Sequence, residues 1–153
     1  MKNPNERRIV AVIITTGIAS VVTQLVLIRE FLSQFQGNEI VIALILFSWL
    51  VLGGLGTRLA RSAADSRFAT RPALGWLSLA LALLATPTLV AARLLRDLVF
   101  THGASVGFYP TFIYITAVAA PYALLIGFLL PVSLFVLRSE RPDYSGTLVY
   151  IWD

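Results

Sequence analysis

The sequence predicts an all-α, polytopic integral membrane bundle of four transmembrane helices with both termini inside. Three observations carry that prediction. Hydrophobic residues make up 58% of the chain and charged residues only 13%, about half the share found in a soluble domain. Apolar runs of membrane length recur four times, at 9–28, 40–60, 73–92 and 111–137; a hydrocarbon core of roughly 30 Å takes about 20 helical residues. Basic residues are shared unequally between alternate loops. With a mean hydropathy of +0.82, the chain reads as one transmembrane domain lying in the lipid bilayer, without a soluble catalytic domain.

The first span follows a short polar start carrying Lys2, Arg7 and Arg8. A secretory signal peptide shares the basic start, but its apolar region is only about 7–15 residues and ends at small residues. Here the run is longer and closes on Leu27-Ile28-Arg29-Glu30, as a true span does. Within it Thr16, Ser20, Thr23 and Gln24 share one side of a helix by their i, i+3 and i, i+4 spacing. Lipid offers the Gln24 amide no partner, so this stripe faces other helices. It reads first as interhelical hydrogen bonding, worth about 0.6 kcal/mol per contact, and second as a substrate path.

Residues 29–39 are expected to form the first external loop or an interfacial helix. Arg29 and Glu30 anchor it at headgroup level, and Gly37-Asn38-Glu39 form the corner that starts the next helix. An external polar site, if the chain has one, would draw on Gln24, Arg29, Glu30 and Glu39. The two glutamates could hold a cation, although nothing in their spacing forces them together.

The second span ends in Leu52-Gly53-Gly54-Leu55-Gly56. In lipid, Gly53, Gly54 and Gly56 permit close backbone approach by a neighbouring helix; no strand precedes them, so a nucleotide-binding loop fails on context. A polar inner loop with Arg61, Asp65, Arg67 and Arg71 leads to the third span, where Pro87 is expected to kink the helix. Residues 93–110 read as the second external loop, carrying Arg93, Arg96, Asp97 and the single histidine, His102. The fourth span holds Pro121 and Pro131, with Ala119, Ala123 and Gly127 as a small-xxx-small ladder for helix contact. After polar residues 138–143, the stretch 144–153 reads as the start of a fifth element.

Orientation follows from the arginines and lysine. Nine of the 12 basic residues (Lys2, Arg7, Arg8, Arg58, Arg61, Arg67, Arg71, Arg138 and Arg141) fall in the segments placed inside, and Arg29, Arg93 and Arg96 in those placed outside. That bias is the positive-inside pattern. The pI near 10.0 would suggest a nucleic-acid partner in a soluble protein; here the arginines flank apolar runs and mark topology instead.

Catalysis needs an acid, base, nucleophile or electrophile in a shaped pocket. The spans carry no Asp, Glu, Lys or His at mid-depth, and Ser20, Ser48 and Ser78 have only the loop residue His102 as a histidine partner. The absence of Cys removes thiolate ligands and nucleophiles. No catalytic, cofactor-binding or metal-binding residue is therefore expected, and no cofactor.

Thr16-Gly17, Gln24-Leu25-Val26-Leu27-Ile28-Arg29-Glu30, Gly37-Asn38-Glu39 and Leu52-Gly53-Gly54-Leu55-Gly56 together resemble the membrane portion of the bacterial membrane-bound spermidine synthase-like proteins. In that family a multi-span segment precedes a cytoplasmic Rossmann-type aminopropyltransferase domain. The resemblance covers 16–56 most clearly, and 144–153 resembles the lead into the family's next helix. The family's glycine-rich loop and acidic substrate-binding residues have no counterpart here, so no catalytic residue carries over. The resemblance implies a multi-pass protein of the bacterial inner membrane that corresponds to the membrane half alone, as a fragment or as a subunit encoded without its enzyme.

Two functions from different classes follow. The first is a non-catalytic inner-membrane module, an anchor or subunit that needs other membrane helices or a partner subunit. The alternative is a transporter half or small permease for a polyamine or similar organic cation, attracted by Glu30 and Glu39. An enzyme acting within the membrane ranks last.

Overall fold

The structure is a computed structural model that describes residues 4–35, 37–62, 70–100 and 106–140. Among them are four α-helices and no strand: α1 (Pro4–Gln34), α2 (Glu39–Ser62), α3 (Arg71–Val99) and α4 (Phe108–Glu140). Each is long and apolar enough to cross a membrane. Lys2, Asp65, Arg67, His102, Arg141 and the stretch 144–153 lie outside the described residues.

The segment expected as the first external loop or an interfacial helix and the one expected as the second external loop both begin as continuations of the spans before them. α1 continues through Arg29 and Glu30 to Gln34, and α3 continues through Arg93, Arg96 and Asp97 to Val99. A charged residue at headgroup depth ends the apolar run without ending the helix, because its side chain reaches water while its backbone stays bonded. What stops α1 is Gly37, at φ +72°, a left-handed conformation that costs glycine little. Its N–H reaches back to the Leu32 carbonyl at 2.8 Å. Asn38 then caps α2, its side-chain oxygen accepting the Ile40 N–H at 3.0 Å. Glu39 follows in the first turn, where a carboxylate complements the helix dipole. The expected corner thus has a specific mechanism.

α3 begins with Pro72 in its first turn, where a missing N–H costs nothing, and runs unbroken through Pro87; α4 does the same through Pro121 and Pro131.

α4 is the centre of the bundle, and its most extensive contact is with α2. The two run parallel. Ser48 shares a 2.8 Å hydroxyl–hydroxyl bond with Thr116, Leu52 packs on Ala119 and Ala123, and Thr57 donates to the Gly127 carbonyl at 3.1 Å. Gly53 and Gly127 meet backbone to backbone: a Cβ built on Gly127 would stand 2.7 Å from the Gly53 Cα. One on Gly56 would meet the Leu124 carbonyl and lie 2.9 Å from the Phe128 nitrogen. Ala119 and Ala123 are fully buried. Gly54 points away, with nothing within 4 Å of its would-be Cβ.

α1 and α3 flank this pair. Ile13, Leu81, Tyr122, Leu129 and Val136 form the core towards the α1 N-terminus, and Leu27, Phe31, Ile45, Tyr114 and Ile115 the core towards its C-terminus. Trp49 packs against both and against the small-residue centre. Of the polar stripe on α1, Thr16 and Thr23 are buried and Ser20 and Gln24 half-buried. Thr16 donates to the Val12 carbonyl at 2.8 Å, and Tyr122 donates across to the Ala19 carbonyl at 3.3 Å.

The outer surface is what lipid requires. Leu50, Leu83 and Leu98 are exposed, as are Trp76 and Tyr109 towards opposite ends of the bundle, where amphipathic rings sit at the two interfaces. Arg71 and Arg93 are separated by about 33 Å of α3 at 1.5 Å per residue, close to a hydrocarbon thickness of about 30 Å.

Candidate functional site

The end of the bundle where α1 and α3 finish and α2 and α4 begin gathers the polar side chains. Glu30 and Gln34 stand one turn apart on α1, and Gln34 Nε2 donates to Glu30 Oε1 at 3.0 Å. The same carboxylate oxygen accepts Arg93 Nε from α3 at 2.7 Å. The Glu30 side chain is 15% exposed and that of Arg93 74%, so the pair lies at the rim with its carboxylate turned inward. Gln34 Nε2 also donates to the Ala92 carbonyl at 2.8 Å, and the Tyr114 hydroxyl of α4 donates to that carbonyl at 2.7 Å. Arg96, one turn beyond Ala92, donates Nη2 to the Gln34 carbonyl at 3.1 Å. A cation there also complements the negative end of α1.

An aromatic cluster packs against these groups. Tyr114 meets Phe31, Phe35 and Phe100 at ring-centroid distances of 5.9, 6.1 and 5.3 Å, each edge to face, a favourable geometry for ring quadrupoles. These rings hold the ends of α1 and α3 against α4, which sets the spacing of Glu30 and Arg93.

Of the four residues expected to form an external site, Glu30 alone enters this network. Arg29 and Glu39 are exposed, and Gln24 lies half-buried about two turns deeper on α1. Glu30 and Glu39 do not form a carboxylate pair. Gln34, Arg93, Arg96 and Tyr114 were not among the expected site residues. The signal for two of them is in the sequence: Arg93, Arg96 and Asp97 have i, i+3, i+4 spacing, with Leu94, Leu95, Leu98 and Val99 continuing the apolar face of α3.

Chemically the arrangement is an ion pair and a set of carbonyl-directed donors that tie three helices together. Among the described residues no group of three or more His, Asp or Glu side chains gathers to hold a metal ion. Two polar atoms in the cluster, Gln34 Oε1 and Arg96 Nε, are buried without a hydrogen-bond partner among those residues. No protein-family model, no curated protein and no solved structure matches the chain.

Proposed function

We propose that the chain is a non-catalytic, multi-pass module of the bacterial inner membrane, of the spermidine synthase-like type, serving as an anchor or as a subunit of a larger membrane assembly. The observation that carries this reading is the use made of polar groups within the helices. Ser48–Thr116, Thr57–Gly127, Tyr122–Ala19 and Tyr114–Ala92 each link two helices. Thr15, Ser78, Thr88 and Ser133 each donate to a carbonyl three or four residues back on their own helix. Such bonds build a scaffold, since a donor committed to backbone is not displayed to a substrate.

The assembly part of the reading is supported by Gly54. It faces outward beside the exposed Leu50 and Leu55, a low surface on α2 that a further helix can approach closely. The spermidine synthase-like part is supported by the residue pattern over 16–56. The orientation, with Arg7, Arg8, Arg58, Arg61 and Arg71 on the cytoplasmic side, is supported by their concentration at the end opposite Glu30 and Arg93. A cation permease draws less support, because Glu30 is committed to Arg93.

Mass determination of the full chain by light scattering in mild detergent tests the reading. Association with itself or with a co-purifying membrane protein is the expected result. A monodisperse, lone monomer that keeps its melting temperature on dilution would contradict it.

A further inference from the structure

A groove of about 270 Å³ lies between α1 and α3, walled by Ala11, Thr15 and Ala19 on one side and Ser78, Leu81 and Ala82 on the other. It opens outward, since Ala11, Thr15 and Ala82 are exposed. Its hydroxyls are spent within their own helices. Thr15 donates to the Ala11 carbonyl at 2.7 Å, and Ser78 to the Leu74 carbonyl at 2.8 Å. What the groove presents is therefore hydrocarbon.

The groove also has a length and a direction. Ala11 to Ala19 spans about 12 Å of helix, close to the roughly 15 Å that one leaflet contributes to the hydrocarbon core. α1 and α3 start at the same end of the bundle. The groove accordingly runs from the headgroup level of one leaflet towards the mid-plane.

Its mouth is cationic. Arg7 and Arg8 precede Ala11 and Val12 by one turn on the same face of α1. Both are exposed. On α3 the i, i+4, i+7 series Arg71, Gly75, Ser78 leads into the groove wall, and nothing lies within 4 Å of a Cβ built on Gly75. Among the described side chains the carboxylates Glu30, Glu39 and Asp97 all stand at the other end of the bundle. Guanidinium groups at headgroup level are well matched to phosphate oxygens.

We infer that this groove holds an acyl chain of one acidic phospholipid, whose phosphate is bound by Arg7 and Arg8 at the mouth. A helix docked in the same groove would use its depth and leave the charge unanswered; a phospholipid uses both. The site is at the opposite end from Glu30 and Arg93, and the inference does not rest on the module function proposed above.

The test is native mass spectrometry of the full chain, delipidated in detergent and titrated in parallel with phosphatidylglycerol and phosphatidylcholine of the same acyl chains. The wild type should retain one phosphatidylglycerol in preference to phosphatidylcholine. R7Q/R8Q should weaken that retention about thirtyfold, to the level of phosphatidylcholine. R58Q/R61Q, which removes two exposed charges at the same end from α2, should leave it unchanged. Because Arg7 and Arg8 also help to orient α1, A82F carries the test where R7Q/R8Q does not insert. It keeps both arginines and fills the groove from its exposed side, so it should abolish retention with helical content and melting temperature intact. The inference is overturned if the wild type retains the two lipids alike, if R7Q/R8Q and R58Q/R61Q weaken retention equally, or if a folded A82F retains phosphatidylglycerol as the wild type does. A bound second chain that A82F releases, with lipid retention unchanged, would assign the groove to a helix and overturn it too.

Discussion

Gly127 of α4 rests directly on the backbone of Gly53 of α2, so close that a Cβ on Gly127 would lie 2.7 Å from the Gly53 Cα. Helix pairs joined by short loops are the usual close neighbours in a bundle. Here the tightest seam joins two parallel helices with α3 between them in sequence. Glycine permits it: no larger residue at position 127 leaves room for the α2 backbone.

Gly127→Leu should therefore force α2 and α4 apart, at a cost of about 1–3 kcal/mol from overpacking. Thermal unfolding in detergent should show a lower, broader transition. Gly54→Ala, built into open space, should melt within about 0.5 kcal/mol of wild type. Equal melts for the two variants would mean the seam is not where the structure puts it.

The Ser48–Thr116 bond lies on the same seam. A double-mutant cycle with Ser48→Ala and Thr116→Ala should give a coupling of about 0.6 kcal/mol, the average for interhelical hydrogen bonds in lipid. Strict additivity would show that the hydroxyls do not meet.

The rim pair tests the α1–α3 contact. Glu30→Gln and Arg93→Gln should each lower the melting temperature slightly, and less in high salt, because Arg93 is largely exposed. Reversing both charges together, as E30R with R93E, should recover part of the loss. A reversed pair no better than its single variants would place Arg93 away from Glu30.

The helices and their polar corners are legible in the sequence because their causes are local. Four apolar runs, the turn at Gly37 and the cap at Asn38 each follow from a few adjacent residues. The ends of α1 and α3 are less legible: counting apolar residues stops at Arg29 and at Arg93, whereas the backbone continues to Gln34 and Val99. That difference hides the site. Once Arg93 and Arg96 are placed on a helix, they come to one face of α3 towards Glu30 and Gln34; in a loop they had no defined partner. Which helices would touch was open for a different reason. Glycine and alanine faces at 53–56 and 119–127 indicate close contact without naming the partner, since small residues carry no complementary chemistry.

The four membrane-length helices carry the polar rim of Glu30 and Arg93 at one end and Arg7, Arg8, Arg58, Arg61 and Arg71 at the other. The absence of native cysteine makes single-cysteine labelling with a membrane-impermeant maleimide the most direct measurement. Cysteines replacing Arg29 and Leu98 should label in intact cells. Those replacing Arg61 and Arg71 should label only after permeabilisation, and those at Leu50 and Leu83, within the hydrocarbon, poorly in either state. Labelling of positions 29 and 98 from opposite sides, or ready labelling at position 50 or 83, would rule out this four-span arrangement.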